Sequence, residues 1–300
     1  MIPAALDQIA GFRRYLARER RLSGHTDSNY ARDLAALTRF CDSQGIGDWP
    51  ALEHAQVRLF AARSHAGGLA PRSVQRRLSA VRSFLKFLIR EGVLQHNCAI
   101  DVRAPKGQRR LPVTLDADTM ARLLEIPGDD ALTCRDRAIM ELLYSSGLRL
   151  AELVGLDLGD LNAADRTVRV LGKGSKTRVV PVGRKALDAL AAWLRLRPSL
   201  LRDATDAVFV GGAGRRLGAR AIQKRVGYWA VRQGLPMHVH PHLFRHSFAS
   251  HLLESSGELR AVQELLGHAD IATTQVYTHL DFQHLARIYD ATHPRARRKA

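Results

Sequence analysis

The chain has 300 residues, 46% of them apolar, and a formal charge of +17. That length suits two domains with cores of ordinary size, and so large a basic excess points to a polyanionic partner, nucleic acid first. Three isolated cysteines without a CxxC spacing argue against a disulfide framework and suit a reducing cytoplasm.

The opening MIPAALDQIA lacks the basic-then-apolar pattern of a signal peptide. No apolar run approaches the ~20 residues needed to span a bilayer. A cytoplasmic protein is expected. The basic excess is spread over the whole chain and is densest in the first 112 residues, so both parts are expected to touch DNA.

The opening region reads as helical. Between Thr26 and Gly45, Tyr30, Leu34, Leu37 and Cys41 recur at helical spacing. A second stripe, Val74, Leu78, Val81, Leu85 and Leu88, runs from Pro71, a favourable first helical residue, to Gly92. Opposite it lie Arg72, Arg76, Arg82, Lys86 and Arg90, with Arg77 beside them. Guanidinium forks suit phosphate oxygens, and Arg72, Arg76 and Arg77 are the candidate DNA contacts. A solvated face is the plain alternative. The stretch RAPKGQRRLPVT, rich in Pro, Gly and basic residues, reads as a linker over 105–113. It separates a helical domain, 1–104, from a second domain, 114–300.

In the second domain Asp116 is the expected N-cap of ADTMARLLEI, which Pro127 and Gly128 end. A helix over 133–144 turns Ala138, Ile139, Leu142 and Leu143 inward, and Ser145–Gly147 break it before LRLAELVGLDLGDL. Arg149 then stands at the start of the next helix, where the dipole gains nothing from a cation. An arginine there is either aimed at an anion or paired with Glu152. Residues 166–182 alternate as a β-hairpin whose turn carries Lys173. GKGSK is no ATP loop, because Gly174 stands where a Ser or Thr must follow the lysine. Residues 184–196 read as an amphipathic helix, 207–212 as a short strand or turn, and Ile222, Val226 and Trp229 mark a further helix.

The densest chemistry lies in 238–280. His242 and Arg245, three apart after Pro241, share one helix face. Gly267 ends the next helix and leaves His268 just beyond it. Asp270 can cap a short helix carrying Tyr277. Phenol needs a base or nearby cations before it attacks anything, and His242, Arg245 and His268 can supply both. Alternating His238, His240 and His242 invite a metal reading, but no Asp or Glu stands close and no HExxH is present. No metal and no cofactor are expected. His238, His240, His246, His251 and His279 receive no role.

The phrases SSGLRLAEL, GKGSKTR, HPHLFRHSFASHLLESSGELRAVQELLGH and TTQVYTHLD resemble the tyrosine recombinases of the phage-integrase family. The family's Arg, Lys, His-x-x-Arg, His and Tyr fall in order on Arg149, Lys173, His242, Arg245, His268 and Tyr277. The resemblance implies a mainly α fold with a small β-sheet in the catalytic domain, and a two-domain, C-shaped DNA clamp. It implies that Arg149 and Arg245 hold the scissile phosphate, Lys173 protonates the 5′-hydroxyl, the two histidines manage protons, and Tyr277 forms a 3′-phosphotyrosyl link. It further implies a heterotetramer on double-stranded DNA with a sister recombinase, a division translocase as switch, chromosome-dimer resolution as the role, and protomer docking by a helix in 281–300. Integrative or plasmid-resolving work within the family, and a DNA-binding protein without the chemistry, stand as alternatives.

Overall fold

The apolar stripe that begins at Pro71 folds as expected, and its helix is the axis of the first of two units, Met1–Arg110 and Leu111–Ala300. The computed structural model describes residues 1–18, 24–107, 114–172, 177–235, 237 and 239–256. In the first unit helices α1 (Pro3–Arg18), α2 (Gly24–Ser43) and α3 (His54–Ala66) surround α4 (Pro71–Arg90). Proline at the first position of α4 forfeits an N–H that had no helical acceptor. Val74, Leu78, Val81, Leu85 and Leu88 are all buried, each such side chain contributing about 1.5–3 kcal/mol. Phe84 meets Phe12 and Trp49 edge-on, at ring-centroid distances of 5.4 and 4.9 Å.

Helix α3 escaped the sequence reading because its inward row, Val57, Phe60, Ala61 and Ser64, has only two large apolar members. A polar contact compensates. Asp33 on α2 is fully buried and ion-paired with Arg76 and Arg77 of α4. Arg77 Nη1 also donates to Ser64 Oγ on α3 at 2.9 Å, and its guanidinium lies 5.5 Å from the Phe60 ring centre.

The second unit is built on α6 (Ala131–Ser145), which follows α5 (Ala117–Leu124). Asp116 caps α5, its carboxylate accepting from the Thr119 amide at 2.8 Å. Asp130 caps α6, which therefore starts two residues before the expected Thr133. Ala138, Ile139, Leu142 and Leu143 are buried, and so is nearly every other face of α6. Next come α7 (Leu150–Gly155) and the strands β1 (Leu161–Asn162), β2 (Thr167–Leu171) and β3 (Thr177–Pro181). They form an antiparallel sheet in the order β1-β2-β3, with Val168 opposite Val180 and Val170 opposite Arg178. The antiparallel pairing of β2 with β3 is as expected, while the expected turn at 173–176 lies outside the described residues; the two-residue β1 is too short to leave a period-2 signal. The helix expected across LRLAELVGLDLGDL stops at Gly155, and residues 207–210 make only isolated bridges, Asp157 with Ala207 and Val210 with Arg216.

Helices α8 (Arg184–Leu196), α9 (Ala219–Arg232) and α10 (Pro241–Ser256) pack on α6. The described residues are thus mainly helical, with one small sheet in the second unit. Among them no helix is long and apolar enough to cross a membrane.

Asp136 of α6, 1% exposed, accepts from Arg135 Nη2 at 2.7 Å, Arg225 Nε at 2.5 Å and Trp229 Nε1 at 2.9 Å. Removing one member of such a set strands a buried charge. Asp136→Ala should therefore lower stability by about 3–5 kcal/mol, read as an earlier urea transition in the fluorescence of Trp193 and Trp229.

Candidate active site

Helix α6 ends at Ser145, and the chain turns through Ser146 and Gly147. Ser146 Oγ donates to the Pro181 carbonyl at 2.9 Å, fastening the turn to the end of β3. Gly147 has φ +55°, left-handed space that is cheap only for glycine. That turn presents its carbonyl to Arg245 Nη1 of α10 at 2.5 Å. The local backbone choice thus holds one of the expected phosphate-binding cations.

Two residues on, Arg149 is the N-cap of α7. The misfit of a cation at that end is answered by Glu152, one turn in. Glu152 Oε2 accepts from the Arg149 amide at 2.8 Å, and Oε1 from Arg149 Nη1 at 2.9 Å. The same carboxylate takes a second fork from Arg178 on β3, Nη1 to Oε1 at 2.6 Å and Nη2 to Oε2 at 3.0 Å. The pairing of Arg149 with Glu152, weighed in the sequence as an alternative to anion binding, is therefore real. The arginine's side chain is 36% exposed.

The electrostatics follow from one buried acid among three guanidiniums. Burial tends to raise the Glu152 carboxyl. The hydrogen bonds from Arg178 and from the Arg149 amide, the charge of Arg178 and the Arg149 side chain more than offset it, so the group sits below the ordinary carboxylate range. Burial first, then the charge of Arg149, pulls the Arg245 guanidinium down to about 10; Glu152 opposes this and Arg178 adds to it. The cluster stays net positive at neutral pH, partly dry and preorganised, as a site for a doubly esterified phosphate needs.

Helix α10 carries His242 and Arg245 together, Arg245 buried and His242 exposed. His240 has a role the sequence did not reveal. Its Nδ1 accepts from the Leu243 amide at 3.2 Å, capping α10, and its ring lies 6.3 Å from that of His242. His251 is buried, with Nδ1 2.8 Å from the Tyr144 hydroxyl, and joins α10 to α6. Among the described residues no group of three or more His, Cys, Asp or Glu is placed to hold a metal ion.

With this geometry in view, comparison with known proteins decides the family. The phage integrase family matches residues 113–284, and the N-terminal SAM-like domain of phage integrases matches residues 9–92. The chain belongs to the phage integrase family. Its similarity to tyrosine recombinase XerC of Pseudomonas fluorescens is 56% identity over 292 residues, covering 97% of each chain. To tyrosine recombinase XerC of Serratia marcescens it is 51% over 296 residues, 99% of this chain and 97% of that one. Among solved structures, XerH site-specific recombinase bound to a palindromic difH substrate shares the fold at TM-score 0.70 and 22% identity, covering 95% of this chain and 85% of that one. The chain is accordingly a site-specific tyrosine recombinase, a DNA strand-exchange enzyme.

Of the six residues this tyrosine recombinase was expected to use, the structure joins Arg149 and Arg245 through the 147–149 turn and sets His242 on the Arg245 helix. Lys173, His268, Tyr277 and the docking segment 281–300 lie outside the described residues. Of the candidate DNA contacts, Arg72 is exposed, whereas Arg76 and Arg77 are tied to Asp33. Arg178 was missed altogether. The only clue was a charged residue in register with the inward Val180 of the same strand.

The depressed Glu152 carboxyl stabilises the fold above its unfolded value, and that contribution is lost as pH falls through the lower, folded value. Glu152→Gln should flatten the acid limb of stability against pH and lower stability at neutral pH by about 3 kcal/mol, measured by thermal unfolding across that range.

Proposed function

We propose that this tyrosine recombinase cuts and rejoins double-stranded DNA at a dif-like site with the six residues named above. Arg149 and Arg245 grip the non-bridging oxygens of the scissile phosphate. The Tyr277 oxygen attacks phosphorus while its proton passes to a neighbouring histidine, His242 or His268. The bond to the 5′ oxygen breaks, and Lys173 protonates that oxygen. The 3′-phosphotyrosyl bond keeps the energy of the broken one, and the 5′-hydroxyl of a partner strand reverses the step by way of a Holliday junction. Neither a nucleotide nor a metal is needed for the balance of atoms and charge. Guanidinium forks stabilise the extra charge of such a transition state, an effect worth about 10²–10³ in rate per donor removed.

The observation that carries this reading is the Arg149–Glu152–Arg178–Arg245 cluster, three cations gathered around one buried acid. Long-range attraction by the +17 chain favours the polyanion that the site would receive. In the wider reading both domains contact the duplex, with exposed Arg72 of the first on the backbone. The protein works in the cytoplasm with an XerD-like recombinase in a heterotetramer, under an FtsK-like translocase, and resolves chromosome dimers at division. Similarity to relatives named XerC supports that assignment.

Incubated with a nicked recombination site and EDTA, the wild-type protein should form a covalent protein–DNA adduct, and Tyr277→Phe should bind the site and form none. Bound wild type without an adduct rejects the chemistry and leaves a DNA-binding protein. Deleting residues 281–300 should leave binding to a single site intact and abolish synapsis, scored by gel mobility of paired sites; unchanged synapsis removes the docking role.

A further inference from the structure

Arg178 is not among the residues assigned to the reaction above, yet the site is arranged around it. It stands on β3 in the same alternation as Val180, which is 1% exposed, so its side chain turns toward the interior and is itself 19% exposed. A guanidinium in that position requires a partner. Glu152, its side chain 3% exposed, provides both carboxylate oxygens. Each of these oxygens also serves Arg149, one its side chain and the other its backbone amide. The plane of the carboxylate is therefore fixed by Arg178, and the carboxylate in turn fixes Arg149 at two points.

An i,i+3 pair at the start of a six-residue helix is by itself a local and weak contact. The Arg178 fork makes it a long-range brace, bridging 26 residues from the helix to the sheet. Stability alone is a poor reason for the arrangement. Buried ion pairs are often matched or bettered by apolar residues of similar volume, and Arg178 Nε is buried with no acceptor among the described residues. What the fork does supply is a defined orientation, two parallel N–H···O bonds holding one plane. Among the influences that lower the Glu152 carboxyl, the Arg178 hydrogen bonds come first, ahead of those from Arg149.

We propose that Arg178 is a positioning residue of strand cleavage, acting through Glu152 to hold Arg149 at the angle in which it receives the scissile phosphate. The inference rests on the phosphate-binding role given to Arg149 above. Arg178 does not touch DNA in this scheme. Its effect belongs to the cleavage step, because a misaimed clamp binds the ground state nearly as well as an aligned one and loses the transition state.

The test uses the full-length protein and a nicked duplex cut from the genomic fragment it protects in footprinting. DNA affinity and the single-turnover rate of adduct formation at saturating DNA are measured separately. R178M should cleave about 10²-fold more slowly, with affinity changed by less than about threefold. In an E152Q background, R178M should add less than about threefold, because the two residues act as one arm. R178K keeps the charge but loses the fork, and should fall between wild type and R178M. A wild-type cleavage rate in R178M, losses in R178M and E152Q that multiply, or a loss confined to affinity each overturns the proposal. If R178M does not fold, R178K decides, since a wild-type rate there shows that the fork geometry is dispensable. Wild type that binds without forming an adduct refutes the recombinase chemistry itself, an outcome distinct from wild type and R178M cleaving equally well.

Discussion

One buried carboxylate gathers the arginines of the candidate site. Glu152 accepts four hydrogen bonds, two from each of Arg149 and Arg178, inside a region where a lone acid would be strongly disfavoured. Guanidinium groups repel one another when crowded, and a phosphate-binding site needs them crowded. A single buried anion resolves the conflict by neutralising part of the charge while leaving the cluster net positive. Burial first, and then the charge of Arg149, still hold the Arg245 guanidinium below its ordinary value.

The same arrangement recurs away from the site. Asp33 holds Arg76 and Arg77 in the first unit, and Asp136 holds Arg135 and Arg225 in the second. A chain with a formal charge of +17 must accommodate many arginines close to its cores. Buried acids turn several of them into joints between helices. α2 meets α4 at Asp33, with α3 drawn in through Ser64, and α6 meets α9 at Asp136. The basic row of α4 is consequently not uniform. Arg72 and Lys86 face outward, while Arg77 is committed inward and Arg82 donates to the Ala99 and Val102 carbonyls.

The histidines divide in the same manner. His240 caps α10, His251 hydrogen-bonds Tyr144 inside the core, and His242 is exposed on the helix that carries Arg245. These three residues of one type look alike in a sequence; their different surroundings follow from where a single helix begins and which side of it meets α6. Gly147 is the counterpart on the backbone side. Its left-handed turn aims a carbonyl at Arg245, so the break in the chain and the grip on the cation are one feature.

The sequence alone determined the helices with long apolar stripes, the hairpin, and Arg149, His242 and Arg245 as candidates. Periodicity and caps are local, and the family motif keeps its residues in fixed order. It could not deliver α3, whose inward row is partly Ala and Ser, nor β1, which is too short to show a period. Only the tertiary structure decided that Arg149 binds Glu152, that Arg178 completes the brace, and that Arg76 and Arg77 are shared with Asp33. Those decisions belong to ion pairs and hydrogen bonds spanning 26, 43 and 98 residues. No spacing rule encodes such contacts, because they exist only once separate helices and a sheet have been packed together.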